Sequence, residues 1–164
     1  MSNDSNLRIE VSLTRQRLQL LDGAEVVAEY RVSTSRFGVM GREHSQCTPT
    51  GMHVVDEMFG AGEPPLMAFT GRVATGDIWS EELDTEEPDR DWILSRIMWL
   101  AGTEPGVNQG EGCDSKSRYI YIHGTTPLEP MGVPRSHGCV RMDPVEVIDL
   151  FDRVKPGTSV NLIA

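Results

Sequence analysis

Apolar and polar residues alternate along the first third of the chain. Leu7, Ile9, Val11 and Leu13 hold every second position, Leu18 and Leu20 follow, and Asp22-Gly23 supplies a hairpin turn before Val26, Val27, Tyr30 and Val32. A period of two with a turn between the runs predicts an antiparallel hairpin or meander that buries one face. The stretch VSTSRFGVMGREHSQCTPTGMHVV is rich in Gly, Ser, Thr and Pro, and predicts a loop closing on Thr48-Pro49-Thr50-Gly51 ahead of a strand at 52–55. Residues 60–90 carry GAGEPP and SEELDTEEPDRD, the composition of a long surface excursion whose acids form a solvated face.

The period then changes. Trp92, Ile93, Ile97 and Leu100 fall at helical spacing with Gly102 as a stop, so a helix is expected over 91–100. Arg118 to His123 is a β-branched and aromatic run ending at Gly124, which places His123 at a strand end. Asp143 as N-cap, Pro144 at the first helical position and Glu146 three after the cap open a helix through Val147, Ile148, Phe151 and Val154. Pro156-Gly157 stops it, and residues 159–163 close the chain as a strand. These elements describe one mostly β domain over residues 1–164, with two or three short helices.

Composition narrows the partners. A chain of 164 residues with 38% hydrophobic content buries a core without metal or disulfide staples. A formal charge of −10 argues against a nucleic-acid or anionic-membrane surface as the partner, because both reward clustered Lys and Arg. MSNDSNLRIEV has neither a basic n-region nor an apolar h-region, so if Met1 is the native start the expected compartment is the cytoplasm, or the periplasm if a leader has been removed. Three widely spaced cysteines, Cys47, Cys113 and Cys139, agree with a reducing compartment. The oligomeric state is not legible.

Residues 136–142, SHGCVRM, carry the candidate chemistry. A cysteine nucleophile needs a base for its proton, a group that orients the base, and donors aimed at the developing oxyanion. His123 at a strand end and Cys139 in a Gly-containing bend are placed to meet across a pocket. The helix starting four residues after Cys139 is expected to lower the thiol pKa, and Gly138 lets backbone amides approach a substrate. On spacing alone a packed thiol stays open, as does zinc held by His123, His137, Cys139 and Cys113, although no CxxC or HxxxH pair is present. His44 and His53 read as surface or strand residues.

IHGT at 122–125 followed by SHGCVRM, with VST and TPTG upstream, resembles the YkuD-type L,D-transpeptidases, cysteine enzymes of peptidoglycan metabolism. The resemblance spans nearly the whole chain and implies a β-sandwich or barrel of mixed sheets. It implies Cys139 as nucleophile and His123 as general base, with the second ring nitrogen of His123 held by a carbonyl near Gly124. Ser136, His137 and Gly124 support the site, the Gly138 and Cys139 amides form the oxyanion hole, and Arg141, Arg135 and Tyr121 are substrate-binding positions. No cofactor and no metal is implied. The substrate it implies is a muropeptide or peptidoglycan stem peptide, attacked at the bond joining the L-centre of diaminopimelate to terminal D-alanine.

Most relatives are exported. A cytoplasmic member meets soluble tetrapeptides returned by wall recycling, so the expected activity is an L,D-carboxypeptidase with water as acceptor. The alternatives are a transpeptidase that forms 3-3 cross-links or exchanges D-amino acids, and a non-catalytic binder of peptidoglycan fragments. The acidic segment 60–90 is expected to form a lid over the pocket.

Overall fold

The computed structural model describes residues 6–164. The N-terminal alternation forms β1 (Leu7–Ser12), β2 (Arg17–Asp22) and β3 (Glu25–Ser33), an antiparallel meander whose first turn opposes Ser12 to Arg17 and whose second opposes Asp22 to Glu25. Further along run β4 (Gly51–Phe59), β5 (Met67–Thr70), β6 (Val73–Ile78), α1 (Glu81–Glu86), β7 (Ile93–Gly102), β8 (Tyr121–Gly124), β9 (Val140–Met142), α2 (Glu146–Arg153) and β10 (Ser159–Ile163). The strands form one sheet in the order β4-β10-β1-β2-β3-β9-β8-β7-β5-β6, and β4 also pairs with β7. That extra pairing closes eight strands into a barrel and leaves β5–β6 as a ribbon on one side. The β1–β10 and β8–β9 pairs are parallel and the remainder antiparallel, as a mixed barrel requires.

The core follows from the alternation. Ile9, Val11, Leu18 and Leu20 from the meander meet Met98, Leu100, Ile122, Val140, Met142 and Leu162 inside the barrel, all at most 1% exposed. Each such side chain contributes about 1.5–3 kcal/mol on burial. Helix α2 packs Val147, Leu150 and Phe151, spaced three and four apart, against β7 and β8. Its start differs from the expected one: Val145, not Asp143, holds the cap position and Pro144 lies in the turn before the helix. Asp143 Oδ1 accepts the Val145 and Glu146 amides at 2.9 and 3.0 Å, and the regular helix runs from Glu146.

The expected helix over 91–100 is instead β7, the longest strand. Both faces of β7 are covered, Met98 and Leu100 by the barrel core and Ile97 by a second cluster with Met67, Phe69 and Tyr121. Strands buried on both faces lose the period of two, and a chance spacing then imitates a helix. A bulge between Leu94 and Ile97, with Ser95 at φ +74°, breaks the pattern further. Gly102 is no helix stop: a Cβ there would lie 2.1 Å from the Asn108 carbonyl oxygen. The strand expected at 118–123 is also shorter, since β8 starts only at Tyr121 and Tyr119 sits in a turn at φ +57°.

Segment 60–90 is more ordered than a surface excursion. It supplies β5, β6 and the Ser80-capped α1, and β5 pairs with the start of β7 through Ala68–Leu94 and Phe69–Ile93.

Candidate active site

The site is built on two short parallel strands. β8 and β9 pair with Ile122 opposite Val140 and His123 opposite Arg141. Successive side chains alternate faces, so Ile122, Val140 and Met142 enter the core while Tyr121, His123 and Arg141 share the other face with Cys139, which immediately precedes β9. Strand register therefore places residues sixteen apart in sequence on one face of the sheet. Gly124 makes the approach of β7 possible: a Cβ there would lie 2.3 Å from the Leu94 carbonyl oxygen and 2.9 Å from Val147 Cγ1.

His123 is 1% exposed, and its Nδ1 lies 2.7 Å from the Gly124 carbonyl oxygen. A carbonyl only accepts, so Nδ1 carries the proton and Nε2 keeps its lone pair. Burial lowers the His123 pKa, outweighing Asp91 and the Gly124 carbonyl, which both raise it. The ring is thus neutral and oriented as a proton acceptor.

Cys139 is half-buried beside Tyr121. Its Sγ donates to the Tyr119 carbonyl at 3.3 Å and accepts the Tyr121 amide at 3.4 Å. Burial pushes the thiol up to about 11, against the Tyr121 amide and the charges of Arg141 and Arg118, which lower it. The expected lowering by α2 is not realised, because β9 carries the chain about 3.3 Å per residue away from Cys139 before the helix starts, and a helix-end field fades within a turn. Thiol and imidazole rest as a neutral pair.

The bend around Cys139 is tied down by hydroxyls. Ser136 Oγ donates to the Cys139 carbonyl at 2.6 Å and accepts the Gly138 amide at 3.2 Å. Thr48 Oγ1 donates to the Gly138 carbonyl at 2.9 Å and accepts the Ser35 amide at 3.0 Å. Gly138 sits at φ +133°, a conformation that L side chains rarely adopt. TPTG, through Thr48, and Ser35, which follows VST, thereby brace the cysteine loop, a role that no local sequence pattern marks.

The other expected site residues divide. His137 does not bond Sγ; its Nε2 accepts from Arg36 at 3.0 Å and its Nδ1 lies 3.8 Å from Asp91 Oδ2. Arg141 is 5% exposed and spends its charge on Asp91 at 2.6 Å and on the Arg135 carbonyl at 3.3 Å, so its guanidinium holds the bend together. Tyr121 is 4% exposed, accepts from Arg72 Nη1 at 3.0 Å and forms a wall beside Cys139. Arg118 directs its donors to carbonyls of the 40–47 loop, the nearest being Cys47 at 2.7 Å. Arg135 lines a cleft with Arg36 and His137. Asp91 was hidden in an acidic run and emerges only here, because its partner Arg141 lies fifty positions away. His53 is fully buried, hydrogen-bonded to Ser115 Oγ at 2.7 Å, and takes no part.

Two clefts meet at His137. One, about 370 Å³, is lined by Glu43, Gln46, Arg118, Tyr119 and Ile120; the other, about 190 Å³, by Arg36, Pro88–Asp91, Glu129, Arg135 and Arg141. Among the described residues no group of three or more His, Cys, Asp or Glu is placed to hold a metal, and the three cysteines are free.

The fold has solved counterparts. An L,D-transpeptidase from Mycobacterium smegmatis is 15% identical with a TM-score of 0.55, over 98% of this chain and 59% of that one. One from Xylanimonas cellulosilytica is 20% identical with a TM-score of 0.56, over 99% and 62%. L,D-transpeptidase 3 from Mycobacterium tuberculosis, in complex with a faropenem-derived adduct, is 14% identical with a TM-score of 0.59, over 98% and 61%. At these identities the likeness is one of fold, and the chain spans about six-tenths of the length of those proteins. No curated protein matches it. The model of the L,D-transpeptidase catalytic domain matches residues 6–162, from β1 to the last strand and across the cysteine loop, and the chain therefore belongs to the YkuD L,D-transpeptidase family.

Proposed function

We propose that the chain is a cysteine L,D-carboxypeptidase that removes terminal D-alanine from soluble tetrapeptide stems. The observation that carries the chemistry is the neutral His123, its Nδ1–H fixed on the Gly124 carbonyl and its ring on the same face as Cys139. In the first half-reaction the thiol turns from the Tyr119 carbonyl, its proton passes to His123 Nε2, and Sγ bonds the carbonyl carbon of diaminopimelate. The Cys139 and Gly138 amides stabilise the oxyanion, the latter exchanging its bond to Ser136 Oγ for one to the substrate. His123 returns the proton to the leaving amine, D-alanine departs, and a thioester remains. In the second, His123 takes a proton from water, hydroxide adds to the thioester, and the released thiolate is reprotonated.

Support for water as acceptor comes from the 60–90 segment. Met67 and Phe69 pack in the cluster beside Cys139, Arg72 bonds Tyr121, and residues 88–91 wall the smaller cleft. A wall of this kind on one side of the site favours a small acceptor over a second stem peptide. Free cysteines favour a cytoplasmic location, which is part of the proposal and is tested by cell fractionation. Incubation with a disaccharide tetrapeptide and mass analysis tests the activity. Loss of one alanine without dimers supports it, whereas 3-3 dimers or D-amino-acid exchange products overturn it in favour of transpeptidation. Cys139→Ala abolishes turnover. A faropenem mass adduct lost in that variant separates an enzyme from a fragment binder.

A further inference from the structure

We propose that the smaller cleft beside His137 binds the free carboxylate of the terminal D-alanine through Arg36 and Arg135, which makes the enzyme specific for an unblocked peptide end. The inference rests on the donor half-reaction proposed above and goes beyond it by naming what selects the scissile bond.

The backbone brings the two arginines together. An isolated parallel bridge joins Ser35 to Ser136, the Arg36 amide bonds the Ser136 carbonyl at 3.0 Å, and the Arg135 amide bonds the Thr34 carbonyl at 3.0 Å. Both arginines line the cleft with His137 and Arg141. Among the described residues neither Arg36 nor Arg135 pairs with a carboxylate, in a chain of net charge −10. Arg36 is instead steered by its bond to His137 Nε2 and lies over the Phe37 ring at 5.0 Å. Arg141 lines the same cleft at 5% exposure, and its Nε–H has no acceptor among the described residues. Carboxylates are present too, but Asp91 and Glu129 face Arg141 at 2.6 and 3.9 Å and Arg90 pairs with Glu87 at 3.1 Å, which leaves Arg36 and Arg135 against Asp89. A surplus of forked donors in a recess is the complement of a planar carboxylate.

Size assigns the substrate's halves. Cys139 Sγ bonds Tyr119 and Tyr121, and Tyr119 lines the 370 Å³ cleft, which leaves room for the stem and sugar. The 190 Å³ cleft across His137 suits a single residue. D-alanine is the one-residue side of the scissile bond, and its carboxylate is the anion that leaves with it.

Binding of tetrapeptide to Cys139→Ala, measured by calorimetry, tests this without requiring turnover. The free acid is expected to bind about tenfold or more tighter than the same peptide ending in D-alaninamide, since a charge-assisted hydrogen bond is worth ~1.5–3 kcal/mol. Adding Arg36→Gln or Arg135→Gln is expected to erase that preference and to leave amide binding unchanged, while Arg135→Lys retains part of it. Equal affinity for acid and amide overturns the inference, as does a loss from either substitution that is the same for both peptides. It is also overturned if amidating the diaminopimelate side-chain carboxylate, and not D-alanine, reproduces the arginine-dependent loss. Release of D-alanine by the intact enzyme is read separately, so failure of the activity does not pass for failure of the carboxylate site.

Discussion

Cys139 is expected to alkylate slowly at neutral pH, and the amount follows from its surroundings. Burial moves its pKa from 9.0 to about 11, so near neutral pH the thiolate is about a hundredfold scarcer than for an ordinary thiol. A more basic thiolate is also a better nucleophile, by about six- to tenfold for a shift of this size at a Brønsted slope of 0.4–0.5. The net expectation is a rate with iodoacetamide roughly a tenth of that of an N-acetylcysteine standard near pH 7.5. It should keep rising above about pH 9.5, where the standard levels off. The assay is timed alkylation across a pH series, read by mass on the Cys139 peptide to separate it from Cys47 and Cys113. A plateau below about pH 7, at a rate above that of the standard at the same pH, would falsify the neutral pair and replace it with a resting thiolate–imidazolium. His123→Gln should leave the rising limb in place, since in the resting state Sγ bonds the Tyr119 carbonyl and the Tyr121 amide.

Two further outcomes are expected. Burial lowers the folded-state pKa of both His53 and His123. Their contribution to stability is therefore present above the unfolded histidine value of about 6.5 and is lost as pH falls below it, at up to about 1.4 kcal/mol per pH unit for each group. Urea denaturation of wild type and His123→Gln between pH 7 and 5 checks this, and an unchanged pH slope in the variant would contradict it. Gly124→Ala should cost about 1–3 kcal/mol and reduce activity, because its Cβ would drive against the Leu94 carbonyl at 2.3 Å and displace the residue that orients His123. A variant as stable and active as wild type, by denaturation midpoint and turnover, would show that β7 and β8 separate at no cost.

What could be read from the chain and what could not divide along physical lines. Alternation, turn residues and an aspartate at the helix start located β1 to β3, α2 and β10, because each depends on neighbours a few positions away and on one face meeting water. The pairing of IHGT with SHGCVRM pointed to Cys139 and His123 through resemblance, when spacing alone left packing and zinc open. Only the tertiary structure made β7 a strand, since its two covered faces come from β5 and the barrel interior, elements that no local period records. The same reason hid Asp91, Thr48 and Arg36, whose partners Arg141, Gly138 and His137 lie fifty, ninety and a hundred and one positions away. Sequence by itself determined which residues carry the candidate chemistry. The fold decided their charge states, because burial, strand register and a carbonyl at 2.7 Å keep thiol and imidazole neutral until a substrate arrives.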